Sequence, residues 1–79
     1  MNKARRIALA EIRLQIEEIR DVLDDLHSEE EGAAEAFPES LQESERCLQM
    51  YRNAEALEAA CQYLDDAVEE IENASNKEA

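Results

Sequence analysis

An apolar stripe near the start of the chain repeats in alternating steps of three and four residues. Its members are Leu9, Ile12, Ile16, Ile19, Leu23 and Leu26. This period places side chains along one face of an α-helix and is typical of a packed seam, whereas a strand would repeat every two residues. A later stripe has the same steps: Ala54, Leu57, Cys61, Leu64, Val68 and Ile71. The sequence therefore predicts an all-α fold built from two long amphipathic helices.

The first helix should begin near Lys3 and end near Glu30. Gly32 follows and offers the left-handed conformation that commonly closes a helix. Residues 31–37 form the predicted loop. A chain of 79 residues has room for one domain, so both helices should belong to the same unit.

The second helix is expected over about residues 38–73. Pro38 fits the first turn of a helix, and Ser40 and Glu43 have the spacing of a capping box, in which each side chain satisfies a free backbone donor. The polar residues 74–79 are expected to form a frayed tail.

Charge is distributed unevenly along a chain whose net charge is −13. Residues 1–20 hold five basic and three acidic side chains, whereas residues 21–79 hold three basic and eighteen acidic ones. A short loop favours antiparallel packing, which brings the basic start of the first helix beside the acidic end of the second. The sequence therefore predicts an antiparallel, coiled-coil-like hairpin of two helices.

A hairpin of this size buries little apolar surface, so self-association is expected, with a dimer forming a four-helix bundle. Ile7 and Leu14 form a second apolar face, because helical spacing turns them away from the main seam. That face would be covered in a homo-oligomer or by a partner protein, or its residues would be isolated exposed ones.

Few residues have the spacing of a chemical site. Asp24 and His27 are three apart, as in half of a helical metal site, but no matching Glu-x-x-His follows, so neither a metal nor a cofactor is expected. Cys47 and Cys61 are fourteen apart in one predicted helix, too far to bridge each other, and are expected to be buried thiols unless they pair between molecules. The sequence predicts no enzyme activity and no small-molecule substrate.

No apolar run approaches the roughly 18 residues that span a bilayer, and the first residues lead into no signal-peptide core. A cytosolic protein is therefore expected. The eight basic residues are too heavily outnumbered to hold nucleic acid directly.

Carboxylates are concentrated in the second half of the first helix and the predicted loop. Such a run is most simply a solvated face, but spaced carboxylates on a straight helix can also occupy a basic groove that normally holds nucleic acid phosphates. Met50 and Tyr51 could anchor such a contact. The residues predicted to bind a partner are Asp21, Asp24, Asp25, Glu29, Glu30, Glu31 and Glu35.

The segment Pro38-Glu-Ser-Leu-Gln-Glu-Ser-Glu-Arg46 resembles a turn found in a group of small acidic helical proteins encoded by bacteriophages, prophages and gut Firmicutes. The resemblance extends over about residues 28–72, where Leu-Glu-Glu-Ala-like units follow the turn. Most members have no assigned function, so the resemblance implies a mobile genetic element and no active site.

Two functions are consistent with these features. One is an interaction module that binds and inhibits a host protein with a basic surface, as in counter-defence or nucleic-acid mimicry. The alternative is a structural homo-oligomer in which the charge serves only solubility.

Overall fold

The computed structural model describes residues 1–76 as an antiparallel hairpin of two α-helices. Helix α1 spans Lys3–Glu35 and helix α2 spans Glu45–Ser75, with a single 3₁₀ turn, Glu39–Leu41, between them. The rod measures 59 × 17 × 13 Å. The all-α hairpin that the two stripes predicted is confirmed, and the described residues contain no strand. The last three residues of the predicted tail lie outside the described part, and the first of the tail belong to α2.

Helix α1 begins at a cap and ends later than the sequence suggested. Asn2 accepts a hydrogen bond from the backbone N–H of Arg5 at 2.8 Å, which satisfies one of the free donors of the first turn. The expected end at Gly32 is wrong, because the helix continues to Glu35 and no described glycine has a positive φ. The alanine-rich residues around Gly32 favour a helix, and contacts made by Ala34 hold the last turn in place.

The turn is closed by Gln42, whose side-chain amide reaches back to the end of α1. Its Nε2 donates to the carbonyl oxygens of Phe37 at 2.7 Å and Ala34 at 3.2 Å. The Ala34 carbonyl also accepts from Phe37 N–H and Cys47 Sγ, so Gln42 adds to the contacts that hold the helix end.

The cap of α2 also differs from the expected one. Ser44, not Ser40, precedes the helix, and its hydroxyl accepts from the N–H of Cys47 at 3.2 Å. Ser40 lies inside the 3₁₀ turn, where Leu41 N–H bonds Pro38 C=O at 2.8 Å. The predicted start of α2 at residue 38 is therefore wrong by seven residues.

The interface between the helices is thin. The fully buried apolar residues are small ones: Ala34, Cys47, Ala54 and Cys61. Leu9, Ile16 and Leu23 of α1 are half-buried in it, as are the second-stripe residues Leu57, Leu64, Val68 and Ile71 of α2. Among residues 1–76 no large aliphatic side chain is completely buried, so the core of the hairpin is small for its length.

Basic residues alternate with the apolar ones along the α1 side of this interface. Arg20 forms a two-pronged pair with Asp65, at 3.1 and 3.2 Å, and Arg13 pairs with Glu72 at 3.3 Å. The hydrogen bond to Asp65 raises the pKa of Arg20. Both pairs join the basic start of α1 to the acidic end of α2, as the charge distribution predicted.

Candidate interaction surfaces

Half of the first predicted seam does not face α2. Ile12, Ile19 and Leu26 are 44, 60 and 48% exposed, and Val22 beside them is 60% exposed. We call these four residues the aliphatic ridge. An open groove of about 390 Å³ runs along it, lined by Glu18, Ile19, Val22, Leu23 and Leu26. The ridge is an unpartnered apolar surface of the described hairpin.

The orientation of the ridge away from α2 has a physical cause. Arg13, Arg20 and His27 repeat every seven residues and share the inward face of α1 with Leu9, Ile16 and Leu23. The long arginine stems cover apolar surface while their charged ends reach carboxylates of α2. Rotating the ridge inward would break both ion pairs and expose the other apolar column.

A strip of small side chains on α2 lies on the same side of the hairpin as the ridge. Asn53 marks this side, because its amide donates to Glu30 of α1 at 2.9 Å. Ala60 and Ala67 follow Asn53 at steps of seven and are half-buried, and Tyr63 between them is 72% exposed. We call Ala60 and Ala67 the alanine strip, and Tyr63 projects beside it. The composition contains no obvious signal for Tyr63, which lies off the seam.

The predicted acidic residues divide between several faces of α1. Five of them share one flank, at helical spacings that turn them away from the aliphatic ridge: Asp21, Asp24, Asp25, Glu31 and Glu35. We call this group the acidic flank. All five are exposed, and within the described residues Asp21, Asp25 and Glu35 make no side-chain hydrogen bond or ion pair.

The other two predicted acidic residues lie elsewhere. Glu30 is half-buried and accepts a hydrogen bond from Asn53 at 2.9 Å. Glu29 is exposed, seven residues after Val22, on the side of the aliphatic ridge. Neither belongs to the acidic flank.

His27 lies against three carboxylates at the edge of the interface. Its Nδ1 is 3.9 Å from Asp24, and its Nε2 is 3.9 Å from both Glu31 and Glu58. These distances are too long for hydrogen bonds, and Nε2 has no hydrogen-bond partner in the described structure. Across residues 1–76, no three His, Cys, Asp or Glu side chains are placed to hold a metal ion.

The proposed anchors Met50 and Tyr51 belong to the hairpin itself. Both are half-buried, and the Tyr51 hydroxyl donates to Gln42 Oε1 at 3.1 Å. Partial burial is the first cause that raises the pKa of Tyr51, followed by the nearby Cys47, Glu35 and Glu31. The exposed aromatic side chain of α2 is Tyr63 instead.

The remaining predicted residues have clear positions. Cys47 and Cys61 are buried free thiols, and Cys47 Sγ donates to the carbonyl oxygen of Ala34 at 3.4 Å. Ile7 and Leu14 are each 58% exposed and lie on the flank that Asp21 continues. More than half of each side chain is therefore open to solvent in the described hairpin.

No described helix combines the length and apolarity needed to cross a membrane. Comparison with known proteins identifies no relative, since no family model, no curated protein and no solved structure matches the chain. The function has to be argued from the surfaces themselves.

Proposed function

We propose that this protein is a non-enzymatic acidic interaction module that binds and inhibits a protein with a basic, nucleic-acid-binding surface. The observation that carries the proposal is the acidic flank. From residue 21 to residue 45 the chain contains no Lys or Arg, and the flank residues are exposed along one straight helix. This surface presents fixed negative charge that the hairpin itself does not neutralise.

Charge of this kind favours a basic partner. Successive carboxylates of the flank are at most about 9 Å apart along the helix axis, comparable with the Debye length of about 8 Å at physiological salt, so the fields of neighbours reinforce one another. A groove that holds nucleic acid phosphates has the complementary charge. Binding there would exclude the nucleic acid and inhibit the partner.

The turn motif supports an origin in a phage or prophage, where an inhibitor of a host defence protein would act in the bacterial cytosol. The motif and the acidic flank are independent features, since the motif lies in the turn and the flank lies on α1.

We also propose that the hairpin dimerises into a four-helix bundle. The aliphatic ridge favours this assembly, because exposed Ile, Val and Leu side chains in a continuous row gain free energy when a second apolar surface covers them. The ridge also favours the alternative function, a structural scaffold in which the acidic flank only maintains solubility.

A binding experiment with a defined charge change tests the inhibitor proposal. The immobilised protein captures proteins from a bacterial lysate, and bound proteins are challenged with duplex DNA and with rising salt. The variant Asp21→Lys, Asp25→Lys, Glu35→Lys should lose this capture. The wild-type capture should be displaced by the DNA and should weaken steeply between about 0.05 and 0.5 M salt, because screening shortens the range of the charge.

The matched control is Glu55→Lys, Asp66→Lys, Glu69→Lys, which changes the net charge by the same amount. Its three residues are exposed on α2 and, among the described residues, have no side-chain hydrogen bond or ion pair. It should retain the capture. Equal binding by wild type and both variants would contradict recognition by the flank and favour the scaffold.

A further inference from the structure

We propose that the aliphatic ridge binds a second copy of this chain in an antiparallel two-fold arrangement, with the two turns at opposite ends of the bundle. The inference deepens the proposed function and rests on its dimer. It assigns the face, the orientation and the register, none of which follows from the expectation of a dimer alone.

The spacing of the ridge residues supports the antiparallel arrangement. Ile12, Ile19 and Leu26 are separated by seven residues each, so a two-fold axis through the level of Ile19 places Ile12 of one copy at the level of Leu26 of the other. Ile19 also lies midway along α1, which spans Lys3–Glu35. The ridge is therefore its own antiparallel complement, and pairing there uses the full length of α1.

The uneven charge of the two halves of the hairpin also favours turns at opposite ends. The turn half of the hairpin, residues 21–60, holds twelve acidic and two basic residues, whereas the remaining residues hold nine acidic and six basic ones. Placing both turns at one end would bring two strongly negative halves together. Turns at opposite ends set each negative half beside the less negative half of the other copy. Lys3 then comes to the level of Glu35, and Arg13 to that of Asp25.

The shape and area of the broad side of the hairpin suit a dimer interface. In this arrangement the alanine strips of the two copies also face each other, and the exposed Tyr63 side chains beside them are covered together with the ridges. The broad side of the rod, 59 by 17 Å, has a projected area of about 1,000 Å². A stable interface requires about 800 Å² from each partner, so this face is large enough.

Two double variants that replace aliphatic side chains with glutamine test which face forms the dimer interface. Ile19→Gln, Val22→Gln removes the centre of the ridge, and Ile7→Gln, Leu14→Gln is the matched control. The control residues are equally exposed in the hairpin but lie on the other flank. Sedimentation equilibrium should give twice the chain mass of 9.0 kDa for the wild type and the control. The ridge variant should raise the dimer Kd about 100-fold, because a two-fold interface contains each substitution twice.

Distances between spin labels test the orientation. A label at Glu39→Cys lies in the turn, and under native conditions the buried Cys47 and Cys61 should stay unlabelled, which the wild type checks. Turns at opposite ends predict a label separation of about 50 Å, because each turn lies about sixteen helical residues beyond the axis. Turns at the same end would give less than about 30 Å and would overturn the proposal.

Three further results would also overturn it: a monomeric wild type, a dimer that the ridge variant leaves intact, or a dimer that the control disrupts. Capture of another protein by a monomeric ridge would assign that face to a different occupant. The ridge variants leave the acidic flank unchanged, so a failed dimer with retained salt-sensitive binding rejects this inference alone. Retained binding in the flank variant with an intact dimer rejects only the inhibitor proposal.

Discussion

At the residue scale, Gln42 links the end of α1 to the turn and to α2. Its amide donates to the Ala34 carbonyl of α1 and the Phe37 carbonyl of the turn, and its Oε1 accepts from the Tyr51 hydroxyl of α2. One side chain thereby satisfies groups from the two helices and the turn. Sequence spacing could not identify this role, because glutamine is not a preferred residue at such positions and the contact depends on how the chain folds back.

Replacing Gln42 should therefore weaken the hairpin measurably. Gln42→Ala leaves the carbonyls of Ala34 and Phe37 and the Tyr51 hydroxyl without this partner, and should lower the free energy of unfolding by about 1–3 kcal/mol. Urea unfolding followed by circular dichroism measures the change. Gln49→Ala is the control, since Gln49 bonds only exposed side chains, and it should cost less than about 0.5 kcal/mol. Equal losses would show that Gln42 is only one more turn residue.

Tyr51 gives a prediction for alkaline pH. Its pKa is raised above 10.0 in the folded chain, so the unfolded chain ionises first as the pH rises. This contribution to stability is complete below pH 10 and is lost as the pH rises through the folded-state pKa. In Tyr63→Phe, Tyr51 is the sole tyrosine, and its ultraviolet titration should lie at higher pH in the native than in the denatured protein. Coincident titrations would contradict the environment described for Tyr51.

At the scale of the helix, Gly32 is a position where a substitution should stabilise α1. It lies inside α1 without a positive φ, and a Cβ built there meets no atom within 4 Å. Gly32→Ala should raise the free energy of unfolding by about 0.5–1 kcal/mol, since alanine loses less backbone freedom on folding. Thermal unfolding measures the gain. Destabilisation would instead indicate that α1 ends at Gly32 in solution.

The sequence predicted the regular parts of these elements better than their ends. Periodicity identified both helices, and the uneven charge identified the antiparallel arrangement, because each is a property summed over many residues. The ends depended on single tertiary contacts, such as Gln42 with Ala34, that outweighed the local signals of Gly32 and Ser40. Local propensities are worth about 1 kcal/mol or less, so one such contact can move a boundary.

The candidate surfaces, like the helices, could be predicted only in part from the sequence. The stripe from Leu9 to Leu26 is apolar over two neighbouring columns, and spacing alone could not decide which column faces α2. The alternating Arg13 and Arg20 decide it through their pairs with α2. Likewise, the acidic run predicted a negative surface, but only the structure separates Glu30, which bonds Asn53, from exposed flank carboxylates such as Asp21 and Asp25.

At the scale of the whole molecule, apolar attraction opposes electrostatic repulsion. Each copy carries a net charge of −13 with a thin core, so a dimer brings two like charges together to cover two ridges. The ion pairs between α1 and α2 are partly exposed and are each worth about 0.2–1 kcal/mol. Repulsion summed over the excess carboxylates should outweigh these few attractions.

Salt should consequently stabilise the assembly. Raising NaCl from about 0.02 to 0.5 M shortens the screening length from about 20 Å to about 4 Å, which weakens long-range repulsion more than close contact pairs. The Tm, measured at fixed protein concentration, should rise. In Glu55→Gln, Asp66→Asn, Glu69→Gln, which removes three exposed negative charges, the rise should be smaller. A Tm that falls with salt would mean that the ion pairs dominate. Binding to a basic target should weaken over the same range of salt. A Tm that rises while target binding weakens would show that different forces assemble the protein and recognise its partner.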